Sequence, residues 1–284
     1  MGGRSPPHDT EVCMSYKSVL VHVGPEPPSA ASLAAAEQLA RQFDATLIGV
    51  AAEALEPPAT GFEDGLLLQT LREQVEADLA TAGQRFQDAV AESGLQTKWL
   101  AIPSAPDRVM ALHARGADII VASRPADGFG SSLLPSIASL VLDTATPVLV
   151  TPSHDHRELK AQRIIVGWKD TRETRRAVTD ALPFLLAADQ VIVAAICREG
   201  RSDEATGLEE IVGRLERHGV RAEGKLVPRR QRTVADDLEE VAHEHAADLL
   251  VLGAYGHSRL REWVLGGVTQ GLIDRFSRYL LFSH

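Results

Sequence analysis

The sequence predicts an α/β protein with two consecutive open parallel sheets of five strands, each flanked by helices. Its short apolar runs, such as DIIVAS and QVIVAAI, do not alternate with polar residues, which is typical of strands buried on both faces of a sheet. Helical patterns rich in alanine separate these runs. Strands that alternate with helices through right-handed crossovers form an open, doubly wound sheet.

An internal repeat divides the chain. A strand–helix–strand unit that opens with YKSVLVHV recurs at RIIVGWK, so that Val19 and Ile164 lie 145 residues apart, as do Asp44 and Asp189 at the second strands. Further on, GADIIVA matches AADLLVL at an offset of 130. The first half therefore carries about 15 extra residues, which fall in a long helical pattern within 53–93. Each half is predicted to read β-α-β-α-β-α-β-α-β, with closing strands at 147–150 and 279–282.

Composition sets the domain division and the compartment. We expect a loose polar tail over 1–15, a first domain over 16–152, a polar linker over 153–162 and a second domain over 163–284. Met14 directly precedes the first strand and is an alternative start. The first residues lack the apolar core of a signal peptide, and no apolar run reaches the length of a membrane span. These features predict a cytoplasmic protein without a membrane partner.

Charge and cysteine content exclude two further classes. The chain has 29 Lys and Arg against 39 Asp and Glu, for a net charge of −10, which disfavours a general nucleic-acid binder. Two cysteines, Cys13 and Cys197, are too few for a disulfide framework or a structural zinc site.

A glycine-rich segment follows the fourth strand of the second half. In open α/β sheets, ligands bind at the carboxyl ends of the strands. Gly253-Ala-Tyr-Gly256-His-Ser-Arg stands at that place, and Gly266-Gly267-Val268-Thr269 follows after nine further residues from Gly256. Backbone amides between a strand and a helix N-terminus form a cradle for an anion. Two bare glycines also fit a tight turn, so the cradle and the turn both stay open at this point.

The spacing G-x2-G-x9-G, followed by a small residue and Val-Thr, resembles the nucleotide-binding motif of the universal stress protein family. The resemblance extends over residues 16–284 and covers the repeat twice. It implies a Rossmann-like fold of the adenine nucleotide alpha hydrolase type and a role in stress response and signalling. The implied ligand is ATP, ADP or AMP, with Mg²⁺ left open as a companion. The implied assembly is a homodimer or, in a tandem chain, an intrachain pseudo-dimer.

The resemblance also assigns roles by position. The amides of Gly253 and Gly256 would face the ribose and phosphates, and Ile196 would lie where the family holds the adenine. The residues implied to hold or approach the phosphates are Gly266, Gly267, Val268, Thr269, His257 and Arg259.

Two positions depart from the family pattern. Lys169 stands where the family usually has Asp, with Asp170 one residue later. Gly267 replaces the usual Ser or Thr after the third glycine. Losing one such hydrogen bond weakens binding by about 1–3 kcal/mol, so weaker nucleotide binding is expected and its loss stays an alternative. Lys169 is either a phosphate contact or a solvated strand end.

The first half lacks the motif. At the offset of 130, Gly253 and Gly256 correspond to Ser123 and Ala126, and the second pair of glycines corresponds to Ser136 and Ile137. The remaining candidates for an anion there are Arg124, Ser131 and Ser132. The sequence therefore predicts a degenerate first half and at most one nucleotide per chain.

Two further function classes stay open beside nucleotide binding. One is a nucleotide-independent interaction module, which Lys169, Gly267 and the degenerate first half favour. The other is an enzyme on the same scaffold, but no catalytic residue or metal cage is evident and neither first strand is followed by a His-containing phosphate motif. At most, slow ATP hydrolysis is expected.

Three other features are interpreted as structural. The near P-loop over 219–226 precedes a strand and lacks the hydroxyl that binds Mg²⁺, so it is predicted to be a helix end. VPRRQR is predicted to be a solvated basic turn. His243 and His245 face different directions on a helix and make no convincing metal pair.

Overall fold

The computed structural model describes residues 15–25, 28–55, 65–124, 134–152, 158–198, 205–230, 233–254, 272–273 and 276–284. Its strands are β1 (Ser18–His22), β2 (Thr46–Ala52), β3 (Thr97–Ile102), β4 (Ile119–Ala122), β5 (Val148–Val150), β6 (Arg163–Trp168), β7 (Gln190–Cys197), β8 (Ala222–Pro228), β9 (Leu249–Gly253) and β10 (Tyr279–Ser283). Its α-helices are α1 (Pro28–Phe43), α2 (Gly65–Val90), α3 (Pro106–His113), α4 (Ile137–Thr144), α5 (Arg172–Asp180), α6 (Leu182–Ala187), α7 (Leu208–Arg217) and α8 (Val234–Glu244). A short 3₁₀ helix follows α3 over Ala114–Gly116.

All ten strands form one sheet in the order β3-β2-β1-β4-β5-β10-β9-β6-β7-β8. Neighbouring strands are parallel except β5 and β10, which pair antiparallel. The predicted α/β fold is confirmed, but the two predicted sheets are joined through their closing strands. Every residue of β5 and β10 is buried. Pairing these apolar strands covers two edges that would otherwise be left open.

The sheet separates two helical layers. Buried side chains of α1, α2, α5, α6 and α7 pack on one face. Those of α3, α4 and α8 pack on the other face. The apolar stripes expected for the helices after β1 and β6 are buried as the 3.6-residue period requires. Their members are Leu33, Ala36, Leu39 and Ala40 in α1, and Ala177, Val178, Ala181, Leu182 and Leu185 after β6.

The structure interrupts one predicted helix. The segment after β6 forms α5 and α6 instead of a single helix, and Pro183 lies in the first turn of α6, where its missing N–H is tolerated. The extra residues of the first half are in α2, which has 26 residues, whereas the corresponding α7 has 10.

Contacts near the closing strands hold the halves together. The Tyr16 hydroxyl donates a hydrogen bond to the carbonyl oxygen of Asp180 at 2.6 Å. The Tyr16 ring also packs against Phe43 of its own half and Phe184 of the other, with ring centroids 5.2 and 5.4 Å apart. These contacts and the pairing of β5 with β10 join the two halves of the sheet.

Within the described part of the chain, no helix combines the length and the apolar character that crossing a bilayer requires.

Candidate functional site

The sheet has two topological switch points, where strand order reverses and the loops leave the sheet in opposite directions. The first lies between β1 and β4 and the second between β6 and β9. In open parallel sheets, ligands bind in the crevice that this divergence opens at the carboxyl ends of the strands. The two switch points are therefore the places to compare.

Strand pairing makes the comparison residue by residue. Val19 pairs with Ile119 at the first switch point, and Ile164 pairs with Leu249 at the second. These pairs reproduce the offsets of 145 and 130 that the sequence repeat gives. At three positions, a larger side chain of the first half consequently corresponds to glycine or alanine in the second half. His22 corresponds to Gly167, Ser123 to Gly253, and Arg124 to Ala254.

The first switch point is occupied by its own side chains. His22, Ser123 and Arg124 are 3%, 8% and 5% exposed. The Ser123 hydroxyl donates a hydrogen bond to the Ser32 hydroxyl of α1 at 2.7 Å. Burial lowers the pKa of His22 to about 4, against the weaker opposing effect of a contact with the Ala52 carbonyl. His22 is therefore neutral at physiological pH, and the residues here pack instead of forming a glycine cradle.

At the second switch point, α5 approaches the end of β9 closely. A Cβ atom on Gly253 would lie 2.6 Å from the Glu173 carbonyl carbon and 2.7 Å from the Thr174 Cα. The close packing of α5 on β9 thus requires glycine at 253, because a side chain there would clash with the α5 backbone. The close approach also brings the first turn of α5 to the end of β9, where the family motif begins.

The first turn of α5 carries a buried acid. Thr171 caps the helix by accepting a hydrogen bond from the Thr174 amide, and Arg172 pairs with Glu173 at 2.5 Å. Burial would raise the pKa of Glu173, but the hydrogen bonds from Arg172, its own amide and Thr171 lower it overall. Glu173 therefore stays ionised, and its charge disfavours a phosphate at this helix end.

The end of β6 presents one cation and one engaged acid. Lys169 is exposed directly after the strand. Asp170, the nearest acid to the position where the family usually has Asp, accepts two hydrogen bonds from the Arg175 guanidinium at 2.6 and 2.8 Å. The Asp170 carboxylate is thus committed to α5. Lys169 has the exposure that a phosphate contact needs.

Ile196 lies at the carboxyl end of β7, as predicted. It is half-buried, pairs with Val227 and packs on the same face of the sheet as α8. It adds an apolar wall beside the second switch point.

Most of the sequence-predicted site lies outside the described residues. These positions are Gly256, His257, Arg259, Gly266, Gly267, Val268 and Thr269. Ala126 in the first half is outside them as well, whereas Ser136 is the N-cap of α4 and Ile137 is its first residue. The structure therefore brings together Lys169, Ile196 and Gly253 at one edge of the sheet. The phosphate contacts stay predictions.

The near P-loop and the basic turn make structural contacts in the part of the chain that the structure describes. Gly219 ends α7 with a φ of +85°, and Lys225 contacts Glu244 and His245 at 3.2 and 2.7 Å. Arg230 pairs with Glu240 at 2.8 Å. No group of three or more potential metal ligands occurs among the described residues.

Sequence analysis missed a buried acid beside the site. Asp237 in the first turn of α8 is 2% exposed. The helical period contains the signal, because 237 lies on the stripe formed by Val234, Leu238 and Val241 at spacings of i, i+3, i+4 and i+7.

A separate groove of about 430 Å³ lies between α2 and the edge strand β3. Gly83 and Trp99 face each other there, and Leu79 and Glu76 also line the groove. It is distant from both switch points in the sheet order and contains none of the predicted site residues.

Comparison with known families assigns the second half. Residues 160–278 match the Universal stress protein family. The match includes β6 to β9 and the whole glycine motif, and it begins after the first half has ended. No curated protein sequence matches the chain.

Two solved structures are similar over both halves. A universal stress protein from Archaeoglobus fulgidus is 15% identical, with 94% of this chain and 95% of that chain covered and a TM-score of 0.68. A functionally unknown protein from Pseudomonas aeruginosa is 16% identical, with 96% and 94% covered and a TM-score of 0.61. At these identities the similarity shows the fold, which is that of a universal stress protein.

Proposed function

We propose that the chain is a tandem universal stress protein that binds one adenine nucleotide in its second half and acts in stress response and signalling. We also propose the division into units at 16–152 and 163–284, a cytoplasmic location and association of chains. The observation that carries the proposal is the asymmetry of the switch points. Buried side chains occupy the first switch point. At the second switch point the glycine motif begins with Gly253 and Ala254, within the segment that matches the family.

The described residues fit a nucleotide in three respects. Ile196 offers an apolar surface for a base, exposed Lys169 offers a cation for a phosphate, and Gly253 leads directly into the predicted cradle. The ionised Glu173 at α5 opposes a phosphate at that helix. The phosphates would then lie towards the glycine motif, and Gly256, Gly266, Gly267, Val268 and Thr269 would hold them.

The alternative is a module that works without nucleotide. The pairing of Asp170 with Arg175 favours it, because a ribose or a base would compete with the Arg175 guanidinium for the acid nearest the usual family position. A loss of one charge-assisted hydrogen bond costs about 1.5–3 kcal/mol, or roughly ten- to a hundredfold in affinity.

Calorimetry with ATP, ADP and AMP separates the two functions. We expect at least one of the three to bind with a sub-millimolar Kd and to raise Tm in proportion to ligand excess. Repeating the titration with added Mg²⁺ tests the companion ion. Absence of heat and of a thermal shift with all three at millimolar concentration would rule out the nucleotide-binding proposal and favour the module.

A further inference from the structure

Asp237 is a buried acid without an evident structural purpose. It is 2% exposed, and its oxygen Oδ2 is buried with no hydrogen-bond partner in the part of the chain that the structure describes. Leaving a buried carboxylate oxygen without a hydrogen bond costs free energy, and such oxygens are rare in folded proteins. This cost suggests that Asp237 has a role other than stabilising the fold.

Counted from the first residue of each helix, the matching position of the first half is apolar. Helices α3 and α8 begin at Pro106 and Val234, so Val109 and Asp237 are both fourth residues of their helices. Val109 is 3% exposed and lies in the core. The fold therefore accepts valine at this position. The acid is specific to the half that carries the glycine motif.

Capping does not account for Asp237. Thr233 and Asp236 already form a reciprocal capping box at the start of α8, in which the Asp236 carboxylate accepts hydrogen bonds from the Thr233 amide and hydroxyl at 3.0 and 2.8 Å. A half-buried acid one residue away thus satisfies the helix end. A buried second acid adds little to that arrangement.

The position of α8 aims Asp237 at the second switch point. The helix leads from the carboxyl end of β8 to the amino end of β9, so its first turn lies at the carboxyl edge of the sheet. Leu238 lies 3.4 Å from where a Cβ on Gly167 would be, which places this turn against the end of β6. Helical side chains lean towards the helix N-terminus, so Asp237 leans towards the edge of the sheet where β6 and β7 end.

We propose that Asp237 is a specificity-determining residue that accepts a hydrogen bond from an N–H or O–H group on the nucleoside end of the ligand. This inference rests on the proposed nucleotide site. A carboxylate attracts a donor and repels a phosphate, so the base or ribose lies on the α8 side and the phosphates lie towards the glycine motif. Adenosine offers two sources of such a donor, the 6-amino group and the ribose hydroxyls.

Ligand analogues combined with variants test the contact as a double-mutant cycle. The ligands are ATP and the triphosphates of purine riboside, 2′-deoxyadenosine and 3′-deoxyadenosine, which each lack one candidate donor. The proteins are the full-length chain, Asp237→Val, which copies Val109, and Asp236→Asn, which removes a half-buried charge from the same turn. Asp237→Asn provides a second variant of nearly unchanged shape.

One analogue should bind the unaltered chain about tenfold more weakly than ATP. This penalty should disappear in Asp237→Val, shrink in Asp237→Asn and persist in Asp236→Asn. The analogue that is penalised identifies the base or the ribose as the source of the donor. Asp237→Val should also raise the Tm of the nucleotide-free protein by a few degrees, because it removes a buried unpaired acid.

Three results would overturn the role of Asp237. They are an equal penalty in the unaltered chain and in Asp237→Val, no penalty for any analogue, and a lower Tm for Asp237→Val. In the first two cases ATP still binds, so the proposed function survives. If the unaltered chain binds none of ATP, ADP and AMP, the proposed function itself fails.

Discussion

In the first half of the sheet, His22, Ser123 and Arg124 bury their side chains at the carboxyl ends of β1 and β4. The matching positions of the second half carry glycine or alanine. Ser123 reaches Ser32 of α1 through its hydroxyl, but at Gly253 the backbone of α5 takes the same space. One fold thus supports two arrangements at equivalent points. Glycine at 253 lets the α5 backbone pack closely on the end of β9, whereas serine at 123 contacts α1 through a hydrogen bond.

The largest effect is expected from adding a Cβ atom where α5 meets β9. Gly253→Ala would press the new atom against the backbone of Glu173 and Thr174, which cannot move as a flexible side chain does. We expect the free energy of unfolding to fall by about 3 kcal/mol, at the upper end for overpacking. Chemical denaturation measures this change.

The matched control for Gly253→Ala is Ser123→Ala in the first half. It removes the hydrogen bond to Ser32 without adding an atom, so it should cost only about 1 kcal/mol. Equal costs at the two positions would mean that α5 shifts as readily as a side chain, and the contrast between the switch points would lose its physical basis.

His22 should give the first half a pH dependence that the second half lacks at Gly167. Burial lowers the pKa of His22 from 6.5 to about 4. Between pH 4 and 6.5, His22 is therefore protonated in the unfolded chain and neutral in the folded chain. Stability should fall by about 3 kcal/mol as the pH drops from 6.5 to 4. Denaturation at a series of pH values measures the slope.

His22→Gln removes this titration and provides the control. The variant should lose less stability than the unaltered chain over the same pH range, with the difference approaching the value above. If the two slopes coincide, His22 is not held neutral by burial and the first switch point is less tightly packed than the structure indicates.

A smaller effect should come from the contact between the halves. Tyr16→Phe keeps the ring packing and removes the hydrogen bond to the Asp180 carbonyl, which should cost about 1 kcal/mol. Ser15→Ala is the control, because its contacts of 3.3 and 3.5 Å stay within the first half. Thermal unfolding followed by calorimetry compares them. A neutral Tyr16→Phe would argue against this hydrogen bond as a stabilising contact between the halves.

Much of the fold follows from local patterns in the sequence. The offsets of 145 and 130 between equivalent strands hold in the strand register, and β2 runs over 46–52 as the apolar run predicts. The buried stripes of α1 and α5 follow the helical period. Such features depend on residues close together in the chain, and their pattern occurs in both halves of the repeat.

Other features depend on residues that only folding brings together. Antiparallel pairing of β5 with β10 joins residues about 130 positions apart and leaves no mark in either strand's periodicity. The glycine spacing indicated a site, but the packing of Gly253 against α5 and the pairing of Asp170 with Arg175 came from tertiary contacts. Asp237 lay on an apolar stripe, and its acidic character concealed its burial.

The central claim is one nucleotide site per chain, located in the second half, and binding stoichiometry tests it most directly. Titration calorimetry with ATP, or whichever adenine nucleotide binds most tightly, should give one nucleotide per chain. Gly256→Val should abolish binding, and the matched first-half variant Ala126→Val should leave it unchanged. Two nucleotides per chain, or equal losses in the two variants, would contradict the account.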